Sequence, residues 1–162
     1  MWKAVVNLNT PNKTQNFWPS DDNWRQELFT IKASTAYAAG QAMGIEIVAN
    51  TTTGALTSMG VANATGADFV GILVDAVTAS DPDYATAGKQ KLVWVPNSPY
   101  ARAYFTVISG TFTTAVVNRT VQFAAGSLGL NVGTIGLGAR VRRFITSTRW
   151  ECDFSVPATQ TA

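Results

Sequence analysis

The chain has 162 residues, enough for one domain with a substantial core, and only 14% of them are charged. Ordinary soluble domains carry about 25% charged residues, so an oligomer or a partner is expected to cover part of the surface. A net charge of +2 is too small to identify a nucleic-acid-binding protein. There is no histidine, the commonest general base and zinc ligand, and the single Cys152 excludes an intrachain disulfide. These totals predict a protein that is not an enzyme and has no cofactor or metal.

Residues 1–26 are predicted to form an extended N-terminal arm. The arm is rich in Asn, Pro and Asp, yet it contains Trp2, Phe17, Trp18 and Trp24. Solvated linkers are poor in aromatic residues, so the arm is expected to dock on a protein surface. That surface is either its own domain or a neighbouring chain, and the sequence leaves both open. The arm lacks the apolar core of a signal peptide, and no apolar run reaches about 18 residues, which predicts a protein made in the cytoplasm that does not enter a membrane.

Residues 27–162 are predicted to form one all-β domain, a compact sandwich or barrel of short antiparallel strands. Short apolar or alternating runs follow one another between clusters of Gly, Asn, Pro and Thr, and no stretch has helical periodicity over three turns. The glycine-rich segment 126–138 is interpreted as a bent connection. The predicted strands are 28–34, 43–50, 55–61, 68–77, 89–95, 101–109, 119–124, 139–148 and 149–156.

The strand at residues 68–77 is apolar at odd and even positions, which is typical of a strand in the interior of a sandwich or barrel. Gly71 within it predicts a bend or a close approach of another backbone. Residues 91–95 and 100–108 alternate clearly, and the segment Pro96 to Pro99 between them suits a tight turn. We therefore expect those two strands to form a hairpin.

Carboxylates are the catalytic groups that remain without histidine, and a pair of them can hydrolyse a glycosidic bond. The acidic residues are few, however, and none lies in a motif that distinguishes it from a surface carboxylate. Asp81 and Asp83 flank Pro82 in a loop that favours a turn over a cation site, because it lacks the regular oxygen ligands of a calcium loop. Cys152 is interpreted as a buried thiol.

Basic residues concentrate near the C-terminal end, at Arg140, Arg142, Arg143 and Arg149, with Arg119 earlier in the chain. On a regular strand, Arg140 and Arg142 would lie on one face and Arg143 on the other. Arginine on a strand suits bidentate contacts to carboxylates of a partner or contacts to phosphate. A solvated edge strand that resists pairing with other chains is the alternative.

Residues 36–77 resemble the capsid decoration, or cement, proteins of tailed bacteriophages, which include the lambda-type head decoration protein. Three features carry the resemblance: the Ala39-Gly40 turn after a strand, the threonine-rich loop 51–54, and the strand Val70-Gly71-Ile72-Leu73. It covers about a quarter of the chain. The segments after Arg119 lie beyond it.

The resemblance implies a structural virion protein that binds the outer capsid surface between major capsid subunits, and that is often a homotrimer. It implies that residues 1–26 reach down to the shell, and that residues 3–9 add a strand to a capsid sheet edge. No membrane or nucleic-acid partner is expected. The implied partner-binding residues are Trp2, Val5, Val6, Phe17, Trp18, Trp24, Arg140, Arg142 and Arg143.

Two other functions stay open at this point, the first within the same structural class and the second in another. A tail-tube or head-fibre component would also be a charge-poor, threonine-rich β protein that works by assembly. A module that binds carbohydrate or nucleic acid would use exposed aromatics such as Trp94, Tyr100 and Tyr104 for stacking. Trp94 and Tyr104 alternate with apolar neighbours, however, which favours a place in the core.

Overall fold

The structure is a computed structural model that describes residues 17–48, 51–58, 69–109, 117–123, 129–135 and 138–154. These residues form strands, turns and loops without a helix, so no helix among them could span a membrane. The prediction of an all-β fold is confirmed. The strands are β1 (Phe17–Pro19), β2 (Trp24–Thr30), β3 (Ala42–Val48), β4 (Thr51–Ser58), β5 (Phe69–Leu73), β6 (Gln90–Pro96), β7 (Ala103–Ser109), β8 (Thr120–Phe123), β9 (Leu130–Ile135), β10 (Ala139–Thr146) and β11 (Arg149–Asp153).

The strands form two sheets. The five-stranded sheet has the order β2-β6-β5-β3-β4, and all of its neighbouring strands are antiparallel. Just after β2, Ile31 forms a parallel bridge to Leu56 of β4, so the two outer strands of this sheet approach each other. The sheet therefore curls around its own apolar interior. That interior contains the buried side chains of Ile31, Tyr37, Met43, Leu56, Leu73, Val77, Val93 and Val95.

The six-stranded sheet has the order β1-β7-β11-β10-β8-β9, with antiparallel neighbours throughout. β7 also pairs with β9 in parallel, so β7, β11, β10, β8 and β9 form a closed ring of pairings. This arrangement is barrel-like, and closure reduces the number of exposed strand edges. Its inner side is lined by Phe105, Val121, Phe123, Leu130, Val141, Trp150 and Cys152.

The two sheets share one aromatic core. Trp24, Ile72 and Trp94 of the five-stranded sheet pack in the same cluster as the inner side of the six-stranded sheet. The ring of Phe69 stacks on the ring of Phe154 at 4.5 Å between centroids and on the ring of Phe123 at 5.6 Å. Because these rings bury apolar area from both sheets, we expect the sheets to unfold together.

Strand β5 is apolar on both faces for the reason that the sequence indicated. Ile72 packs into the core between the sheets, whereas the next residue, Leu73, packs into the interior of the five-stranded sheet, and both are fully buried. A Cβ atom on Gly71 would overlap the backbone oxygen of Trp94 on β6. The predicted interior strand and the close backbone approach at Gly71 are confirmed.

The predicted hairpin is wrong. β6 pairs with β2 and β5 in the five-stranded sheet, whereas β7 pairs with β1 and β11 in the six-stranded sheet. The turn at Pro96–Pro99 therefore carries the chain from one sheet to the other. Turn-forming residues fix a change of direction but do not determine which sheet the next strand joins.

Two further strands were not predicted. β9 (Leu130–Ile135) lies inside the glycine-rich segment that was interpreted as a connection, so that interpretation is wrong for these residues. β1 lies in the predicted arm, where Phe17 pairs with Phe105 of β7. Residues 17–26 are therefore built into the two sheets, and residues 1–16 lie outside the described part of the chain.

Candidate arginine-rich binding face

The outer side of the six-stranded sheet carries a cluster of charged and aromatic side chains, which we call the arginine face. Five arginines surround two buried carboxylates and two aromatic rings there, so positive charge exceeds negative charge by three. The members of the arginine face are Trp18, Arg102, Tyr104, Arg140, Arg142, Arg143, Arg149, Glu151 and Asp153.

The alternation of β11 places the two carboxylates on this side. Trp150 and Cys152 point into the core, so Glu151 and Asp153 between and beyond them point outward. Both carboxylates are nevertheless buried, with 5% and 1% of their surface exposed. A buried carboxylate needs charge compensation or hydrogen bonds, and the surrounding arginines supply them.

Glu151 has three partners from three parts of the chain. The hydroxyl of Ser20 donates a hydrogen bond of 2.9 Å to its Oε1, and the Nε of Arg143 lies 3.2 Å from its Oε2. An Nη atom of Arg102 lies 3.8 Å from Oε2. Glu151 thereby connects three places in the chain: Ser20 just after β1, Arg102 just before β7, and Arg143 in β10. Asp153 forms a second ion pair with the Nε of Arg142 at 3.3 Å.

Arg142 and Arg143 both reach the outer side of the sheet, which corrects the predicted alternation. The register shifts between Val141 and Arg143, where β10 contributes one more residue than β11. Such a bulge lets two consecutive side chains serve one face. Val141 remains in the core, and the two arginines bind Asp153 and Glu151, two residues apart on β11.

The predicted alternative, a solvated edge strand, describes the second half of β10, where residues 143–146 are exposed and pair with β11 alone among the described strands. This strand pairs with β11 along its length and with β8 at Ala139 and Arg140. The charges of Arg142 and Arg143 are compensated within the chain. Arg143 still has 61% of its side chain exposed, so it remains available to a partner.

Arg149 contacts an aromatic ring, whereas Arg142 and Arg143 contact carboxylates. Its guanidinium lies 3.8 Å from the ring centre of Trp18, and that ring is 5.2 Å from the ring of Tyr104. Among the described residues, no carboxylate forms an ion pair with Arg149, and its Nε is buried without a hydrogen-bond partner. Burial lowers the pKa of Arg149 from its usual value, although an arginine stays protonated at neutral pH.

The predicted partner-binding aromatics are placed as follows. Phe17 and Trp24 are buried in the shared core, 5.0 Å apart between ring centres, and the indole Nε1 of Trp24 donates a 2.8 Å hydrogen bond to the carbonyl of Arg102. Trp18 is buried on the arginine face. Trp2, Val5 and Val6 lie outside the described residues. Of the two docking surfaces left open for the arm, its own domain is the one that Phe17, Trp18 and Trp24 occupy.

Cys152 is fully buried, as predicted. Burial, with the charges of Asp153 and Glu151 beside it, raises the pKa of this thiol well above its usual range. The neutral thiol is a poor nucleophile, so Cys152 acts as a small apolar core residue. Within the described residues, no group of three acidic or cysteine side chains is placed to hold a metal ion.

Comparisons of the chain with protein families, with curated proteins and with solved structures find no match. The resemblance to phage decoration proteins therefore stays a prediction. What the arginine face offers chemically is a set of planar, partly exposed hydrogen-bond donors on a paired sheet, with an excess of positive charge. Such a surface suits oxygen anions, either carboxylates or phosphates.

Reasoning from the sequence placed Arg149 in the basic cluster but did not include it among the partner-binding residues, and it gave no role to Arg102. It also treated Glu151 and Asp153 like the other acidic residues, none of which lies in a distinguishing motif. The spacing Glu-Cys-Asp on a strand is a usable signal, because it puts two acids on the face opposite a buried thiol. The contacts of Arg149 with Trp18 link residues more than a hundred positions apart, and no local pattern reveals them.

Proposed function

We propose that the chain is a structural virion protein that binds the outer surface of a phage capsid between major capsid subunits and stabilises the shell. The resemblance of residues 36–77 suggests this function. The arginine face is the observation that carries it, because an excess of three guanidinium charges on a rigid sheet is suited to binding an oxygen-rich anionic surface.

Stabilising a capsid in this way requires binding to its surface and no active site. A protein that buries about 1,600 Å² at each contact adds a standard-sized interface across the junction between capsid subunits. If three copies act together as a homotrimer, losing one contact does not release the protein, because the others keep it at high local concentration. Arginine is over-represented among the residues that dominate such interfaces, together with tryptophan and tyrosine.

The arm has a smaller role in this proposal than the sequence indicated. Residues 17–26 stabilise the domain, with Trp18 also lying on the arginine face. Residues 1–16 are therefore the part of the arm proposed to reach down to the shell, with Trp2, Val5 and Val6 as the anchors. A chain that starts at residue 27 would lose Phe17, Trp18 and Trp24 from the fold. A chain that starts at residue 17 is the correct truncation for separating binding from folding.

The test is to add the purified protein to expanded, undecorated heads of a tailed phage that lacks its decoration protein. We expect saturable binding and a higher temperature of head rupture, and we expect a solution mass of three times 17.3 kDa. The variant that starts at residue 17 should fold and bind more weakly. A monomer that leaves head rupture unchanged, at concentrations well above those of the capsid sites, would refute the proposal.

A carbohydrate or nucleic-acid module is less well supported. Trp94 packs against the shared core, and the ring of Tyr104 packs against Trp18, so neither presents an open stacking surface. Of the three aromatics considered for stacking, Tyr100 is well exposed, at 69%. A tail-tube or head-fibre component remains within the same structural class, and head binding distinguishes it from a decoration protein.

A further inference from the structure

Arg149 differs from the arginines of the arginine face that are paired with carboxylates, and the difference carries an inference about what this face binds. Arg142 and Arg143 each contact a carboxylate of their own chain. The guanidinium of Arg149 lies over the ring of Trp18, 3.8 Å from its centre, and no carboxylate of the described residues forms an ion pair with it. An arginine stacked in this way has lost much of its rotational freedom before any ligand arrives.

Two buried donors at this position have no acceptor among the described residues. They are the Nε of Arg149 and the indole Nε1 of Trp18, and Trp18 is only 8% exposed. A buried donor without an acceptor costs about 1–3 kcal/mol, so these two atoms favour any ligand that brings oxygen atoms to them. They lie in a face that already carries excess positive charge.

We propose that the Arg149–Trp18 pair is a receptor for a carboxylate group of an acidic protein segment. The guanidinium edge would bind both carboxylate oxygens, and a small shift of the stacked ring would bring the indole Nε1 into the same contact. The inference deepens the proposed function and rests on it for the identity of the partner. The carboxylate chemistry can be tested without any phage component.

Two observations favour a carboxylate over a phosphate backbone. Two carboxylates, those of Glu151 and Asp153, already lie within this face. Their negative charges weaken the extended positive field that binding to a nucleic acid needs, and the net charge of the whole chain is only +2. The ring of Trp18 is covered by Arg149 and cannot stack on a base.

The experiment uses the full chain and a blocked hexaglutamate peptide. Nitrogen-15 NMR follows the arginine Nε–H signals and the five indole signals, and Trp18→Phe and Arg149→Lys assign those of this pair. We expect the signals of Arg149 and Trp18 to shift saturably with the peptide. Arg149→Lys should weaken peptide binding about tenfold, because lysine keeps the charge but loses the planar fork.

Arg25→Lys is the matched control, since it makes the same substitution on the five-stranded sheet, away from the arginine face, at an exposed residue with its own carboxylate partner, Glu27. It should change peptide binding by less than about twofold. Equal binding by the Arg149→Lys variant and the unchanged protein would overturn the inference. So would tighter binding of a twelve-residue oligothymidylate or of inorganic phosphate than of the peptide at equal ionic strength.

The head-binding assay separates this inference from the proposed function. If the peptide binds at Arg149 but the protein does not bind heads, the proposed function fails and the receptor stands. If the unchanged protein and the Arg149→Lys variant bind heads with equal affinity, the proposed function stands. The inference that the Arg149–Trp18 pair binds a carboxylate of the capsid is then overturned.

Discussion

The two sheets differ in what lies on their second face. The five-stranded sheet places apolar side chains in its own interior and others in the core between the sheets, as Leu73 and Ile72 show within one strand. The six-stranded sheet has an apolar inner side and carries ion pairs and stacked rings outside. One sheet therefore has apolar packing on two sides, and the other carries the arginine face, which is the surface proposed for partner binding.

The largest expected effects come from truncating a core side chain in each sheet, which tests whether the two sheets unfold as one cooperative unit. Trp150→Ala removes a fully buried ring from the six-stranded sheet and should lower the free energy of unfolding by about 3–5 kcal/mol. Leu73→Ala should cost about 2–5 kcal/mol from the other sheet. Urea unfolding followed by circular dichroism and by tryptophan fluorescence should give one coincident transition for each variant.

Tyr100→Ala is the control for truncation, because its ring is 69% exposed, and it should change stability by less than about 0.5 kcal/mol. Separate transitions in the Trp150→Ala variant would show that the shared aromatic core does not couple the sheets.

The next effect compares one glycine from each sheet. A Cβ atom on Gly71 would overlap the backbone oxygen of Trp94, and one on Gly138 would overlap that of Val121. Because a neighbouring strand must move in both cases, Gly71→Ala and Gly138→Ala should each cost at least about 1–3 kcal/mol in a thermal melt. Thr148→Ala, in an exposed turn, is the control, and a neutral result at either glycine would contradict the close strand approach.

A smaller effect concerns the outer face alone. Glu151→Gln removes the charge that Arg143 and Arg102 share, and we expect a loss of about 1–3 kcal/mol in urea unfolding. Glu27→Gln removes an exposed carboxylate from the other sheet, whose ion pair with Arg25 should be worth less than about 1 kcal/mol. Equal losses for the two variants would mean that the arginine face is no better organised than an ordinary charged surface.

The smallest expected effect is a change of stability with pH, which is measured on the unchanged protein. The fold raises the pKa of Cys152, so the unfolded chain releases the thiol proton at a lower pH than the folded chain does. The contribution of this group to stability is therefore complete below the unfolded pKa, about 8.5, and decreases as the pH rises above it. Labelling with a thiol reagent at pH 8 should proceed only as fast as the chain opens, and rapid labelling of the folded protein would contradict the burial.

The same contrast explains which parts of the structure the sequence could predict. The apolar pattern of residues 68–77 predicted a strand buried on both faces, because burial acts on each residue through its own side chain, and β5 occupies Phe69–Leu73 of it. The order of the strands was not predictable, since the turn after Pro96 allows the next strand to join either sheet. The arginine face depends on a one-residue bulge in β10 and on contacts between β1 and β11, and neither has a local signal in the sequence.

Strand β1 is only three residues long, yet it is fixed at both of its faces. Phe17 packs against Phe105 and Trp24 in the core, and Trp18 lies beneath Arg149 on the outside. A mechanical load applied through the residues before Phe17 would therefore be transmitted to the centre of the domain. Pulling on that end of the chain would have to extract buried side chains from both faces before β1 separates from β7.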